Sequence, residues 1–205
     1  MNYLFWLPIL ILSSFLSSII LVKCLIAIMS KFNIVDKPSD RRVHSKTTPR
    51  GGGIALVIIF CLLLPTFEYV CLGELYNSRK IILIFAPIAL ISFLDDIVEV
   101  PVLFRLLIHT ICSVLAVMWL IHPHKILHSG LSLHVDLFIG SFALLTFLNV
   151  YNFLDGIDGI TVSESIHLSL VILILCFIKY DIIPNVWTII TVASIILGWS
   201  CGFIL

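Results

Sequence analysis

The stretch that decides the fold reads NVYNFLDGIDG, Asn149 to Gly159, between two apolar runs. Read as helix, it puts Asn152, Asp155 and Asp158 at i, i+3 and i+6 on one face. Gly156 and Gly159 keep the backbone thin beside that face, so a bulky group can approach. A charged side chain costs about 2.5–3.5 kcal/mol at the centre of a bilayer on insertion scales. Carboxylates gathered at the end of an apolar run therefore point to a water-accessible functional site that holds a cation.

The runs on either side are part of a pattern that covers the chain. Of its 205 residues 60% are hydrophobic and 12% charged, with a mean hydropathy of +1.19. Soluble domains average about 45–50% apolar and about 25% charged. Apolar runs near the ~20 residues that span a bilayer recur from end to end. The fold predicted is all-α: a polytopic membrane helical bundle of about seven transmembrane helices, one domain over residues 1–205. Twelve basic and twelve acidic residues cancel, and no nucleic-acid partner is expected. Six cysteines lie scattered without a C-x-x-C pair and read as small packing residues.

Orientation follows from charge. The first run, Leu4 to Met29, has no Lys or Arg before Lys23, so it reads as a retained span with its N-terminus outside. The segment Ser30 to Arg50 then holds Lys31, Lys37, Arg41, Arg42, Lys46 and Arg50, which places it in the cytoplasm. Further spans are expected at Ile54–Leu72, Ile81–Leu94, Val102–Ile121, Val135–Leu148, Ile160–Lys179 and Val186–Leu205. This count brings the basic loop, Asp95-Asp96 and the Asn149–Gly159 stretch to one side of the membrane. The third span has only 14 residues, roughly 21 Å of helix. The apolar part of the fifth, Leu137–Leu148, is shorter still, so the carboxylates are expected slightly below the cytoplasmic surface in a wet cleft.

Adjacent carboxylates repel unless a cation compensates them, so Asp95-Asp96 suits a hard divalent ion that also takes substrate phosphates. A plain helix cap is the alternative. In the basic loop, Gly51, Gly52 and Gly53 lead into a helix whose N-terminus favours phosphate, and Lys46 and Arg50 add charge-assisted contacts. Arg105 and His109, one turn apart on the fourth span, line the cleft or snorkel. Glu164 and His167 read as a structural pair. His122, His124, His128 and His134 match no metal-ligand spacing and read as a solvated outer loop.

These residues, in this order, closely resemble the polyprenyl-phosphate N-acetylhexosamine-1-phosphate transferases. The match is carried by DKP (36–38) with HSKTTPRGGG (44–53), by FLDD (93–96) with Pro101 and Arg105-Leu106-Leu107, and by NVYNFLDGIDG. Ile97, Val98 and Glu99 stand where the pentapeptide branch places a basic residue just after its aspartate pair, so the pattern looks more like the branch that initiates O-antigen and teichoic acid. The resemblance implies transfer of a sugar 1-phosphate from a UDP-sugar to undecaprenyl phosphate with release of UMP, at the cytoplasmic face of a bacterial inner membrane. It implies Mg²⁺ (or Mn²⁺) as cofactor. By position, Asp95, Asp96, Asp155 and Asp158 are catalytic, with Asp96 and Asp155 on the metal, and Asn152, Lys46, Arg50, Gly52 and Arg105 hold substrate. A homodimer stays open.

Members of that family continue into two more cytoplasmic motifs, whereas this sequence stops at Leu205. The expectation is the N-terminal part of a longer fold, a fragment or a chain completed by a second one, without full activity alone. A prenyltransferase with paired Asp-rich motifs is disfavoured by the two-residue gap between Asp155 and Asp158. The alternatives of another class are a cation- or proton-coupled transporter, which predicts charges in mid-span, and a non-catalytic remnant.

Overall fold

In the computed structural model the described residues are 3–32, 35–36, 48–49, 52–73, 75–98, 100–121, 132–154, 159–179 and 185–205. They form seven long α-helices: α1 (Tyr3–Lys31), α2 (Gly52–Leu72), α3 (Tyr76–Val98), α4 (Val102–Ala116), α5 (Leu133–Leu154), α6 (Ile160–Ile178) and α7 (Val186–Phe203). All seven, with α4 extended by a π-helical turn at Val117–Ile121, are long and apolar enough to cross a membrane. The chain is a multi-pass membrane protein. Among the described residues the strands are a two-residue antiparallel pairing of β1 (Val35–Asp36) with β2 (Thr48–Pro49). It joins the two ends of the basic segment, Asp36 opposite Thr48.

Two helices are longer than their apolar runs. The third begins at Tyr76, not Ile81, and its 23 residues rise about 35 Å. The fifth has 22 residues, about 33 Å. Both match a hydrocarbon core of about 30 Å, so the inference from short spans that the carboxylates sit below the surface does not hold. Polar residues interrupt the apolar run at Asn77, Ser78, Arg79 and Lys80 without ending the helix. Glu68, buried near the end of α2, explains why. Its Oε1 accepts the Asn77 N–H at 2.9 Å and its Oε2 the Ser78 N–H at 2.8 Å. The carboxylate thus satisfies donors that a helix start leaves unpaired, where the helix dipole favours negative charge. Glu68→Ala is expected to cost about 1–3 kcal/mol for each donor it orphans, and Glu68→Gln less, read as loss of thermal stability in detergent.

The chain divides into two compact units, Met1–Ser78 with Asp155–Leu205, and Arg79–Leu154. In the first, α7 is the most buried span and packs against α1, α2 and α6. Lipid offers helices no hydrophobic drive to associate, so close packing and hydrogen bonds must do it. The α1–α7 seam uses both. Ser14 and Ser18 of α1 donate to the Ile195 and Trp199 carbonyls at 2.7 and 2.9 Å. Gly198 and Gly202 face them; a Cβ on Gly202 would lie 2.6 Å from the Phe15 carbonyl oxygen, and one on Gly198 would press on the Ile11 carbonyl. At the start of α2 the ring of Phe203 fills the space a Gly52 Cβ would need.

In the second unit, α3, α4 and α5 meet around Ile84, Ile88, Cys112, Ala116 and Leu144. Helix α4 is inverted relative to a soluble amphipathic helix. Leu103, Phe104, Leu107 and Ile111 are exposed to the lipid side, whereas His109, Cys112, Ser113 and Ala116 are buried. Cys112 here and Cys176 beside α7 are packing residues, as expected.

Candidate active site

Asp95 and Asp96 occupy the last turn of α3. Carboxylates there face the negative end of the helix dipole, which is unfavourable without a compensating cation. Arg105 supplies one to Asp95. The chain leaves α3, turns at Val100-Pro101 and starts α4 on Pro101, whose carbonyl accepts the Phe104 and Arg105 N–H groups at 3.0 and 3.2 Å. Proline at this place favours a helix start because it has no N–H to leave unpaired. The tight turn returns Arg105 to the end of α3, where its guanidinium pairs with Asp95 Oδ2 while Oδ1 accepts the Val100 N–H at 2.9 Å. Asp95 is therefore both a charge partner and the tie that closes the α3–α4 turn.

Arg105→Ala is expected to remove about 1 kcal/mol, at the upper end for pairs open to solvent, because both side chains are about a quarter exposed. Thermal unfolding at low and high salt checks this: the difference between wild type and variant shrinks as salt rises.

Asn152 lies exposed in the last turn of α5. The helix ends two residues later at Leu154, and Gly159, which precedes α6, has φ +75°. That left-handed conformation suits glycine at the residue that precedes α6. Asp155 and Asp158 lie outside the described residues, as do Lys46 and Arg50. Gly52 is described; the Phe203 ring gives it a packing role, while Gly53 has open space where a side chain would go. The Glu164–His167 pair is replaced by a contact of His167 Nδ1 with the Ser163 carbonyl at 3.0 Å.

Sequence reasoning singled out His109 as lining a cleft or snorkelling; it is instead buried, and Ser113, one turn on, was passed over. His109 and Ser113, 4% and 1% exposed, have no hydrogen-bond partner for either imidazole nitrogen or for the hydroxyl among the described residues. Each such orphan costs about 1–3 kcal/mol. The signal was available, because a histidine and a serine four residues apart in an apolar span share a face.

Among the described residues no group of three His, Cys, Asp or Glu side chains converges on a metal position. A magnesium ion needs less: one or two carboxylates, with water and substrate phosphates completing its shell. The acidic end of α3 suits such an ion, with Asp95 already compensated by Arg105 and Asp96 beside it.

The sequence pattern of the family described as Glycosyl transferase family 4 matches residues 78–205, well over half of the chain. Comparison with curated proteins returned no match.

Proposed function

The chain belongs to glycosyl transferase family 4, and from that premise we propose that it transfers a sugar 1-phosphate, of the N-acetylhexosamine type, from a UDP-sugar to undecaprenyl phosphate with release of UMP. Family membership supports a membrane-embedded transferase with a polyprenyl-phosphate acceptor and a sugar-nucleotide donor. The finer reading, a cell-envelope glycan initiated at the cytoplasmic face of a bacterial inner membrane, rests on the motifs. The observation that carries it is the acidic end of α3, with Asp95 held by Arg105. If each span crosses once, the ends of α3 and α5 and the basic segment share a side, where a lipid headgroup and a soluble nucleotide can meet.

The chemistry asks little of a strong base. An oxygen of the lipid phosphate attacks the β-phosphorus of the UDP-sugar, a new phosphoanhydride forms, and the bond to UMP breaks. The protein must align two anions and neutralise them. Arg105, Lys46 and Arg50 suit the phosphates, Asn152 the donor, and Asp155 and Asp158 the donor end of the site. Asp96 and Asp155 would hold Mg²⁺ or Mn²⁺, which supplies charge neutralisation to the diphosphate. Release of UMP from UDP-sugars by membranes containing the chain, with and without undecaprenyl phosphate, tests the proposal. Lipid-dependent UMP is expected; UMP release indifferent to the lipid overturns it.

A further inference from the structure

We infer that His109 and Ser113 hold a buried water molecule, and that through it His109 is a positioning residue for Arg105. The two side chains are four residues apart on the inward face of α4, and Arg105 lies one turn before His109 on the same face. The row therefore runs from the Arg105–Asp95 pair into the interior of the α3–α5 unit.

The surroundings of the two side chains offer them nothing. No hydrogen-bond partner for either side chain stands among the described residues, and the core cluster that α4 joins through Cys112 and Ala116, with Ile84, Ile88, Ile108 and Leu144, is apolar. A neutral imidazole has one donor and one acceptor, and a serine hydroxyl both donates and accepts. Buried groups of this kind are almost always partnered in native proteins, by water where no protein group reaches. A buried water makes about three hydrogen bonds. Imidazole and hydroxyl would supply two of them, and Arg105, one turn before His109 on the same helix and with five guanidinium donors, would supply the third. Water so held ties the guanidinium to the helix that carries it and limits its swing away from Asp95.

The kinetic part of this inference rests on the transferase reading above; the water does not. The full chain, in lipid bilayers with ¹⁵N-histidine, is measured by water-edited solid-state NMR, with His109→Gln identifying the His109 signals. Magnetisation is expected to pass from water to the His109 ring, falling by about twofold or more in Ser113→Ala and persisting in Ser113→Thr. No transfer in the wild type, or transfer unaffected by Ser113→Ala, overturns the water site. In the UMP assay, His109→Leu is expected to raise KM for undecaprenyl phosphate about tenfold with kcat nearly kept, and His109→Gln to return KM to within about twofold. An unchanged KM in His109→Leu overturns the positioning role. Membranes that release no UMP with wild-type chain defeat the transferase reading alone, because water transfer still decides this one.

Discussion

Gly198→Leu is expected to be the most damaging single substitution in the chain. Even a Cβ at this position would come within 2.8 Å of Ser14 Cβ and press on the backbone carbonyl of Ile11, and a leucine adds three more carbons to the same gap. Neither obstacle is the yielding tip of a long side chain. Helices α1 and α7 must separate, and with them go the two serine bonds to the Ile195 and Trp199 carbonyls. Overpacking costs about 1–3 kcal/mol and sometimes more. With two interhelical hydrogen bonds lost as well, the result belongs at or above the top of that range. A loss of 3 kcal/mol lowers the midpoint by roughly 6–12 °C in a chain of this size. Thermal unfolding in detergent, followed by gel filtration, reads it. Gly53→Leu is the control, since nothing lies within 4 Å of a Cβ there, and it is expected to shift the midpoint little.

Asp96→Asn and Asp155→Asn are expected to have the largest effects on activity without comparable effects on folding. Each keeps the size of the side chain and removes one negative charge. Loss of a preorganised electrostatic contact of this sort typically lowers kcat by about 10²–10³. UMP release per folded protein should fall by that much in each variant, while the unfolding midpoint moves by less than about 2 °C. Asp95→Asn is different in kind. It weakens the pair with Arg105 and the tie to Val100, so both activity and stability fall. Activity unaffected by Asp96→Asn and Asp155→Asn would remove the catalytic assignment.

Much of the architecture was legible because lipid imposes a simple condition: a span must be long and apolar. Seven runs were seen, and seven helices long and apolar enough to span are present among the described residues. What was not legible is where the helices begin and end. Asn77, Ser78, Arg79 and Lys80 look like a loop, yet the Glu68 carboxylate accepts the N–H groups of Asn77 and Ser78, nine and ten residues later, and lets α3 start early. The same blindness to distant partners hid the Arg105–Asp95 pair: both residues were singled out, but only the Pro101 turn brings them together. In the Asn149–Gly159 stretch helical spacing suggested a face, of which Asn152 is described, exposed at the end of α5, while Asp155 and Asp158 lie outside the described residues. Gly198, Gly202, Ser14 and Ser18 were passed over as filler in apolar runs. Their value lies in what they lack, side-chain volume, and that is visible only once another helix lies against them.

The central claim is that carboxylates from the end of α3 and from the segment between α5 and α6 serve one divalent ion. Electron paramagnetic resonance of Mn²⁺ titrated into the full chain in lipid nanodiscs, with UDP present, tests it most directly. The account predicts one site, weakened by roughly tenfold or more in Asp96→Asn and again in Asp155→Asn, with the double variant little worse than either alone. Mn²⁺ affinity that survives either substitution, or two sites lost independently, would contradict it.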